Sequence, residues 1–301
     1  MRQPSEDGKI SGVIGGIKVG DPFPVRIMGV VNLTKNSFYA DSVRQGREEV
    51  IGSALQMEQA GADIIDVGAR STAPYRKYDV PREIEARLVS DAVKWLNGKI
   101  NIPISVDTTK IEAAEAGIAE GASILNDVYG LAQKDGPELA RIVSKADCSL
   151  VLVSHEIRRR SGAPMNRVLS ALERSIDTAK KSEVDPRKIA VDPGIGFFSD
   201  KNISNVEWNC TVISDLVDLR RFRLPICVGV SRKKFIGIIG GNVPAEKRLS
   251  GSLAATAIAV YNGCHIVRTH DVAETVNAVR VAKEIRARQK RLSHNPRESE
   301  T

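Results

Sequence analysis

The sequence predicts an α/β fold: a single (β/α)8 barrel of the TIM type, with an N-terminal β-hairpin and a disordered C-terminal tail. Three observations carry this. Eight short apolar stretches rich in β-branched residues recur along the chain; each precedes a longer stretch with apolar residues at three- and four-residue intervals; and the alternation runs without a break in composition. Strands that alternate with helices pair in parallel through right-handed crossovers, and eight such units close a barrel. The rival, an open doubly wound sheet, lacks its usual sign, because no G-x-G-x-x-G follows the first strand.

Residues 1–24 contain SGVIGGIKVG, two apolar pieces around Gly15 and Gly16, which reads as a hairpin capping the bottom of the barrel. Strands are expected at 25–33, 63–68, 102–107, 123–128, 149–154, 189–192, 225–230 and 265–268. Helical spacing fills the gaps, as in EEVIGSALQMEQAGA after the first strand and PREIEARLVSDAVKWLNGK after the second. The barrel spans 25–288. From 289 to 301 the chain is a polar tail with no apolar anchor.

Composition removes several classes of function. With 42% hydrophobic and 27% charged residues the chain has material for a sizeable core. No run approaches the ~18 apolar residues that span a bilayer, and the N-terminus has no apolar leader core, so a cytoplasmic protein without membrane partners is expected. Lys and Arg number 44 against 37 Asp and Glu, a net +7. That surplus is spread out, with denser patches at 158–160, 232–234 and 286–291, and aromatics are 4%, so a nucleic-acid face is not expected and small anionic ligands are. Cys148, Cys210, Cys227 and Cys264 form no C-x-x-C pair and read as buried thiols in a reducing cytosol.

Barrel enzymes of this type react at the C-terminal ends of their strands, so polar residues that close apolar strands mark the site. Here nearly every strand supplies some: Asn32 to Thr34, Arg70 to Thr72, Asp107 to Lys110, Asn126 with Asp127, Asp192 before Pro193, Ser231 to Lys234, and Arg268 to Asp271. Each has a bland reading. Asp107 with Glu112 could be a capping box, Asp192 a turn opener, and Ser231 a helix cap. Asn126 resists such a reading, because a buried amide needs partners. Seven bland readings together are less economical than one polar site.

Arg268 and His270 alternate and share a side of their strand, near the place where such barrels hold phosphate. His265, at the strand start, reads as structural; His155 ends the fifth strand within reach of the mouth; His294 belongs to the tail. Asp107, Asp192, Asn126 and Lys233 suit a flat heterocycle with N–H donors and a carbonyl, a pteridine or a purine. An anion site on the eighth strand, facing an amide on the first that suits hydrated Mg2+, points to an attached diphosphate. No nucleophile with a paired base is evident.

These residues lie in blocks that resemble one family. MGVVNLTKNSF (28–38), ADIIDVGARSTAP (62–74), ISVDTTK (104–110), ILNDVYG (124–130), DPGIGF (192–197), VGVSRKKFIG (228–237), RLSGSLAA (248–255) and IVRTHDVAETV (266–276) resemble the dihydropteroate synthases, in order over about 28–284. The resemblance implies a transferase that joins 6-hydroxymethyl-7,8-dihydropterin diphosphate to an arylamine and releases diphosphate. It assigns Asp107, Asn126, Asp192 and Lys233 to the pterin, and Asn32, Arg268 and His270 to the diphosphate. Asn32 would also hold Mg2+, and Asp107, Lys233, Arg268 and His270 form the catalytic set. Thr72 and Lys234 fall on the arylamine side, and a homodimer is implied.

Several positions depart from the family pattern. T-P-D-S-F becomes Thr34-Lys35-Asn36-Ser37-Phe38, and G-E-S-T-R-P-G becomes Ala69-Arg70-Ser71-Thr72-Ala73-Pro74-Tyr75. Lys234 stands where serine is frequent. The second loop and Phe197-Phe198 resemble archaeal members linked to methanopterin-type cofactors, whose amine is a ribofuranosyl-aminobenzene phosphate rather than p-aminobenzoate. Two rivals share the pterin pocket: a methyltransferase barrel serving a corrinoid protein, and a non-catalytic pterin-binding protein. The methyltransferase needs no anion clamp of the kind Arg268 and His270 offer, and the binding protein would be one whose altered first two loops no longer close.

Overall fold

The computed structural model describes residues 9–33, 43–69, 80–156, 161–198 and 200–294, the side chains of 43–45 and 289–294 excepted. A hairpin of β1 (Ser11–Ile14) and β2 (Ile17–Gly20) opens the chain. β3 (Arg26–Asn32), β4 (Ile64–Gly68), β5 (Ile104–Asp107), β6 (Ile124–Asp127), β7 (Ser149–Val153), β8 (Ile189–Asp192), β9 (Cys227–Val228) and β10 (Ile266–Thr269) follow. They form one parallel sheet in which β3 pairs with both β4 and β10, and β10 with β9. A parallel bridge between Val191 and Ile226 joins β8 to the start of β9 and completes the barrel.

The helices pack outside. α1 (Val43–Gln59), α2 (Arg82–Leu96), α3 (Ile111–Ala119), α4 (Gly136–Lys145) and α5 (Pro164–Lys181) each follow one strand, from β3 to β7 in turn. α6 (Asn205–Ser214) follows β8, α7 (Lys234–Ile239) and α8 (Leu249–Tyr261) follow β9, and α9 (Val272–His294) follows β10. α5 shows the helical pattern plainly. Pro164 sets the first turn, and Met165, Val168, Leu169, Leu172, Ile176 and Ala179 bury one face at three- and four-residue steps.

Inside the barrel, Met28, Ile64, Ile124, Val151, Ala190, Cys227 and Ile266 form an apolar layer. Ile14 and Val19 of the hairpin seal it from below, as the sequence predicts. The hairpin turn fits closely: a Cβ on Gly15 (φ +57°) would stand 2.7 Å from Ile124 Cδ1, and the Gly15 amide donates to Ser149 Oγ at 2.9 Å. Asp21, just past β2, takes a two-pronged contact from Arg220 and the Ile10 amide, and lies 3.5 Å from His265 Nε2.

One expectation shifts. Cys148, Cys227 and Cys264 are buried free thiols, but Cys210 is exposed, because its helix turns Trp208, Asn209, Val212 and Ile213 inward instead. α9 runs to His294.

Candidate active site

Side chains alternate along a strand, so two residues above an inward apolar position the next inward side chain appears. Above Ile64 comes Asp66, above Ser105 Asp107, above Ile124 Asn126, above Ala190 Asp192, and above Ile266 Arg268. On these five strands the interior thus turns polar or charged one step nearer the mouth, while Val30 and Val153 keep the corresponding places on β3 and β7 apolar. Asp66 is fully buried and Asp107 is 5% exposed.

Arg268 organises this layer. Its Nε donates to Asp66 Oδ2 and its Nη2 to Asp107 Oδ2, both at 2.7 Å. Asn126 Nδ2 donates to the same Asp66 oxygen at 3.1 Å. Asp66 Oδ1 and Asn126 Oδ1 remain buried with no hydrogen-bond partner, which leaves two acceptors for a ligand's N–H groups or water. Burial pushes the Asp107 carboxyl upward, against the pull of Arg268, and the Asp66 charge adds to the rise.

Asp192 accepts from the Gly194 amide through Oδ1 at 2.7 Å, so its turn-opening reading holds for that oxygen. Burial raises its pKa. Lys233 lies within electrostatic reach of Asp192, Asp107 and Arg268, and its ammonium stands 4.4 Å over the Phe197 ring. Burial first, then the Arg268 charge, lower its pKa to about 8.

Lys233 reaches this position because of its neighbour. Arg232 adopts a left-handed backbone (φ 55°), a conformation that costs energy outside glycine. Its amide donates to Ser252 Oγ at 2.8 Å, its carbonyl accepts from Arg248 Nη1 at 3.0 Å, and its guanidinium pairs with Asp271. The turn between Ser231 and Lys233 is therefore held from α8 and from the loop after β10.

His270 sits at the rim, open to solvent on one side, with Nδ1 3.0 Å from Ser231 Oγ. Desolvation, and then the Arg268 charge, lower its pKa. Asn32 closes β3 with an exposed side chain at the mouth, and Lys234 is exposed at the first residue of α7. Thr72, with the altered loops 34–42 and 70–79, lies outside the described residues. His155 is half-buried against Tyr129, with ring centroids 4.6 Å apart.

The bland readings of Asp107 and Ser231 do not match this geometry. Asp107 is spent on Arg268, Glu112 on Arg82, and α3 begins at Ile111 with no side-chain cap from its N-cap residue Lys110. Ser231 faces His270, and α7 likewise has no side-chain cap. The residue that sequence reasoning misses is Asp66. An aspartate inside I-I-D-V-G, in phase with an inward Ile64, is the signal that finds it. Glu85 is a second: buried on α2, it accepts from Thr108 Oγ1 at 2.5 Å and pairs with Lys110.

A barrel with an ionic layer that leaves acceptors toward its mouth is the build of a pterin-binding enzyme, and residues 28–270 match the family of pterin binding enzymes. Dihydropteroate synthase of Escherichia coli (strain K12) is 34% identical over 261 residues, covering 85% of this chain and 90% of that protein. The Xanthomonas albilineans dihydropteroate synthase structure with 4-aminobenzoic acid superposes with a TM-score of 0.81 at 31% identity, covering 93% of this chain and 99% of that one. The same enzyme in complex with 7,8-dihydropteroate gives 0.78 at 30%, covering 92% and 98%. The chain belongs to the dihydropteroate synthase family of transferases.

Proposed function

We propose that this chain joins 6-hydroxymethyl-7,8-dihydropterin diphosphate to p-aminobenzoate and releases diphosphate, a step of folate biosynthesis. The observation that carries this reading is the inward layer of Asp66, Asp107, Asn126, Asp192 and Arg268, reached from above by Lys233. Unpaired acceptors on Asp66 and Asn126, with Asp192, suit the amino and ring N–H groups of a pterin, while the Lys233 ammonium suits its carbonyl. In the reaction the bond from the pterin methylene carbon to the diphosphate oxygen breaks. The arylamine nitrogen then bonds to that carbon and loses a proton. The three carboxylates favour the electron-poor pterin that forms when the leaving group departs. Arg268, His270 and Lys233 face the growing negative charge.

The same chemistry suits Mg2+. Among the described residues no three His, Cys, Asp or Glu side chains gather to hold a metal, but Asn32 offers an exposed amide oxygen at the mouth. Mg2+ takes oxygen donors and keeps several waters, so one protein ligand with diphosphate oxygens fits it. Bound there, it would neutralise charge on the leaving group.

One observation favours a different amine. Lys234, exposed beside Lys233, adds a cation where serine is frequent in the family and suits the phosphate of a ribofuranosyl-aminobenzene phosphate, the methanopterin-type acceptor. Diphosphate release, measured with the pterin diphosphate, Mg2+ and each amine in turn, decides. Turnover on p-aminobenzoate alone removes the phosphate reading. Release with neither amine leaves a methyltransferase or a binding protein.

The partner we propose is a second copy. α6, α7 and α8 form an apolar groove on the barrel's outside, lined by Ile213, Phe235, Ile236, Val243, Ala255 and Ile258, and Ile239 beside them is 62% exposed. Its location is proposed as the cytoplasm. The four cysteines are unpaired, and no described helix is long and apolar enough to cross a membrane.

A further inference from the structure

Arg167 stands on α5, outside the strand wall, and is 3% exposed. A guanidinium so far from water needs every donor satisfied. Nε and Nη2 donate to the Glu156 carboxylate at 3.1 and 2.5 Å, and Nη1 donates to Asp200 Oδ2 at 2.5 Å. Its flat face covers the Trp208 ring at 4.4 Å, and Trp208 stacks on Phe198 at 4.9 Å and 17°. Glu156 follows β7, while Phe198 and Asp200 belong to the loop after β8. One side chain therefore grips that loop twice, through Asp200 directly and through Trp208 to Phe198, and ties it to the end of β7.

The first half of the gripped loop belongs to the site. Asp192 opens it and Phe197 carries Lys233 on its ring. Between them Gly194 (φ +72°) and Gly196 (φ +85°) give the chain little stiffness of its own. The loop's shape comes from its anchors: the Gly196 amide on Asn209 Oδ1 at 2.6 Å, and the stack and ion pairs around Arg167.

We infer that Arg167 is a positioning residue for the pterin side of the site: it fixes Asp200 and Phe198, and through them sets Phe197 and Asp192 against Lys233. The inference rests on the pterin reading above. Arginine is required because lysine keeps the charge but lacks both the planar fork and the stacking face.

The test uses Arg167→Lys together with Asp200→Asn, a loop position whose side chain is 18% exposed and whose substitution spares the fold if the lysine variant does not. Calorimetry with the pterin diphosphate and Mg2+ is set beside the KM for arylamine, kcat and Tm. The expected result is a pterin Kd raised about tenfold in both variants, with arylamine KM and kcat close to wild type. Wild-type pterin affinity in both variants, even with a lowered Tm, makes Arg167 merely structural and overturns the inference. A wild-type chain that neither binds the pterin nor releases diphosphate removes the functional reading itself, before any variant is compared.

Discussion

Arg268 Nε meets Asp66 Oδ2 at 2.7 Å, joining two residues 202 positions apart across the barrel interior. With Asp107 on its other prong, Arg268 is held between two carboxylates whose own strands, β4 and β5, are neighbours. The guanidinium is thereby fixed below the mouth, and Asn126 shares the same Asp66 oxygen.

Asp66→Asn should loosen this layer. One buried charged hydrogen bond is lost, at about 1.5–3 kcal/mol. Urea unfolding should show a lower midpoint, and the KM for pterin diphosphate should rise by at least tenfold. A variant with wild-type KM would separate Asp66 from the site.

Lys233 provides a pH test. Its pKa is lowered to about 8, so the ammonium is present below that value and lost as pH rises through it. Pterin affinity should be full at pH 6.5–7 and fall about tenfold by pH 9. Lys233→Arg, charged throughout, should flatten the profile. Calorimetry across the range reads both, and wild-type affinity that ignores pH would refute the role.

Much of this was legible in the sequence. The eight strands were, because β-branched apolar runs between turn residues have few other uses. The hairpin plug was, through its paired glycines. The ring of strand-end polar residues was visible at Asp107, Asn126, Asp192 and Arg268, since each closes an apolar run. Asp66 is hidden because one aspartate amid four apolar neighbours passes for part of a core strand, and only the inward phase of Ile64 exposes it. Arg167 had no local signal at all: on α5 it occupies a helix face, and the partners that bury it come from two separate loops and from Trp208 on α6.

Ile239→Asp addresses the apolar face of α6 to α8. Sedimentation should show wild type as a dimer and the variant as a monomer with an unchanged circular dichroism spectrum. A monomeric wild type at micromolar concentration would dismiss the self-association reading.

At the bottom of the barrel, Asp21→Asn should affect folding and not chemistry. Burial favours the neutral acid, but the donors His265, Arg220 and the Ile10 amide outweigh it and hold the carboxyl well below its ordinary value of 3.8. A depressed carboxylate stabilises the fold above its unfolded pKa, and that contribution fades as pH drops below it. The variant should lose about 2 kcal/mol at neutral pH and show a shallower decline between pH 4 and 2. Urea midpoints measured over that range are the check; parallel curves would argue that Asp21 carries no such share.

Around the barrel, neighbouring strands share from two to five paired positions, but β8 meets β9 through one bridge, with the Val191 amide on the Pro225 carbonyl. Proline has no N–H, so the ladder lacks a donor at Pro225. The cylinder is therefore most lightly stitched where Asp192 hangs from one edge and the turn to Lys233 from the other. A flat ring clasped by both would act as a second suture, so amide hydrogens along that line should exchange fast in the empty protein and slow markedly once it is occupied.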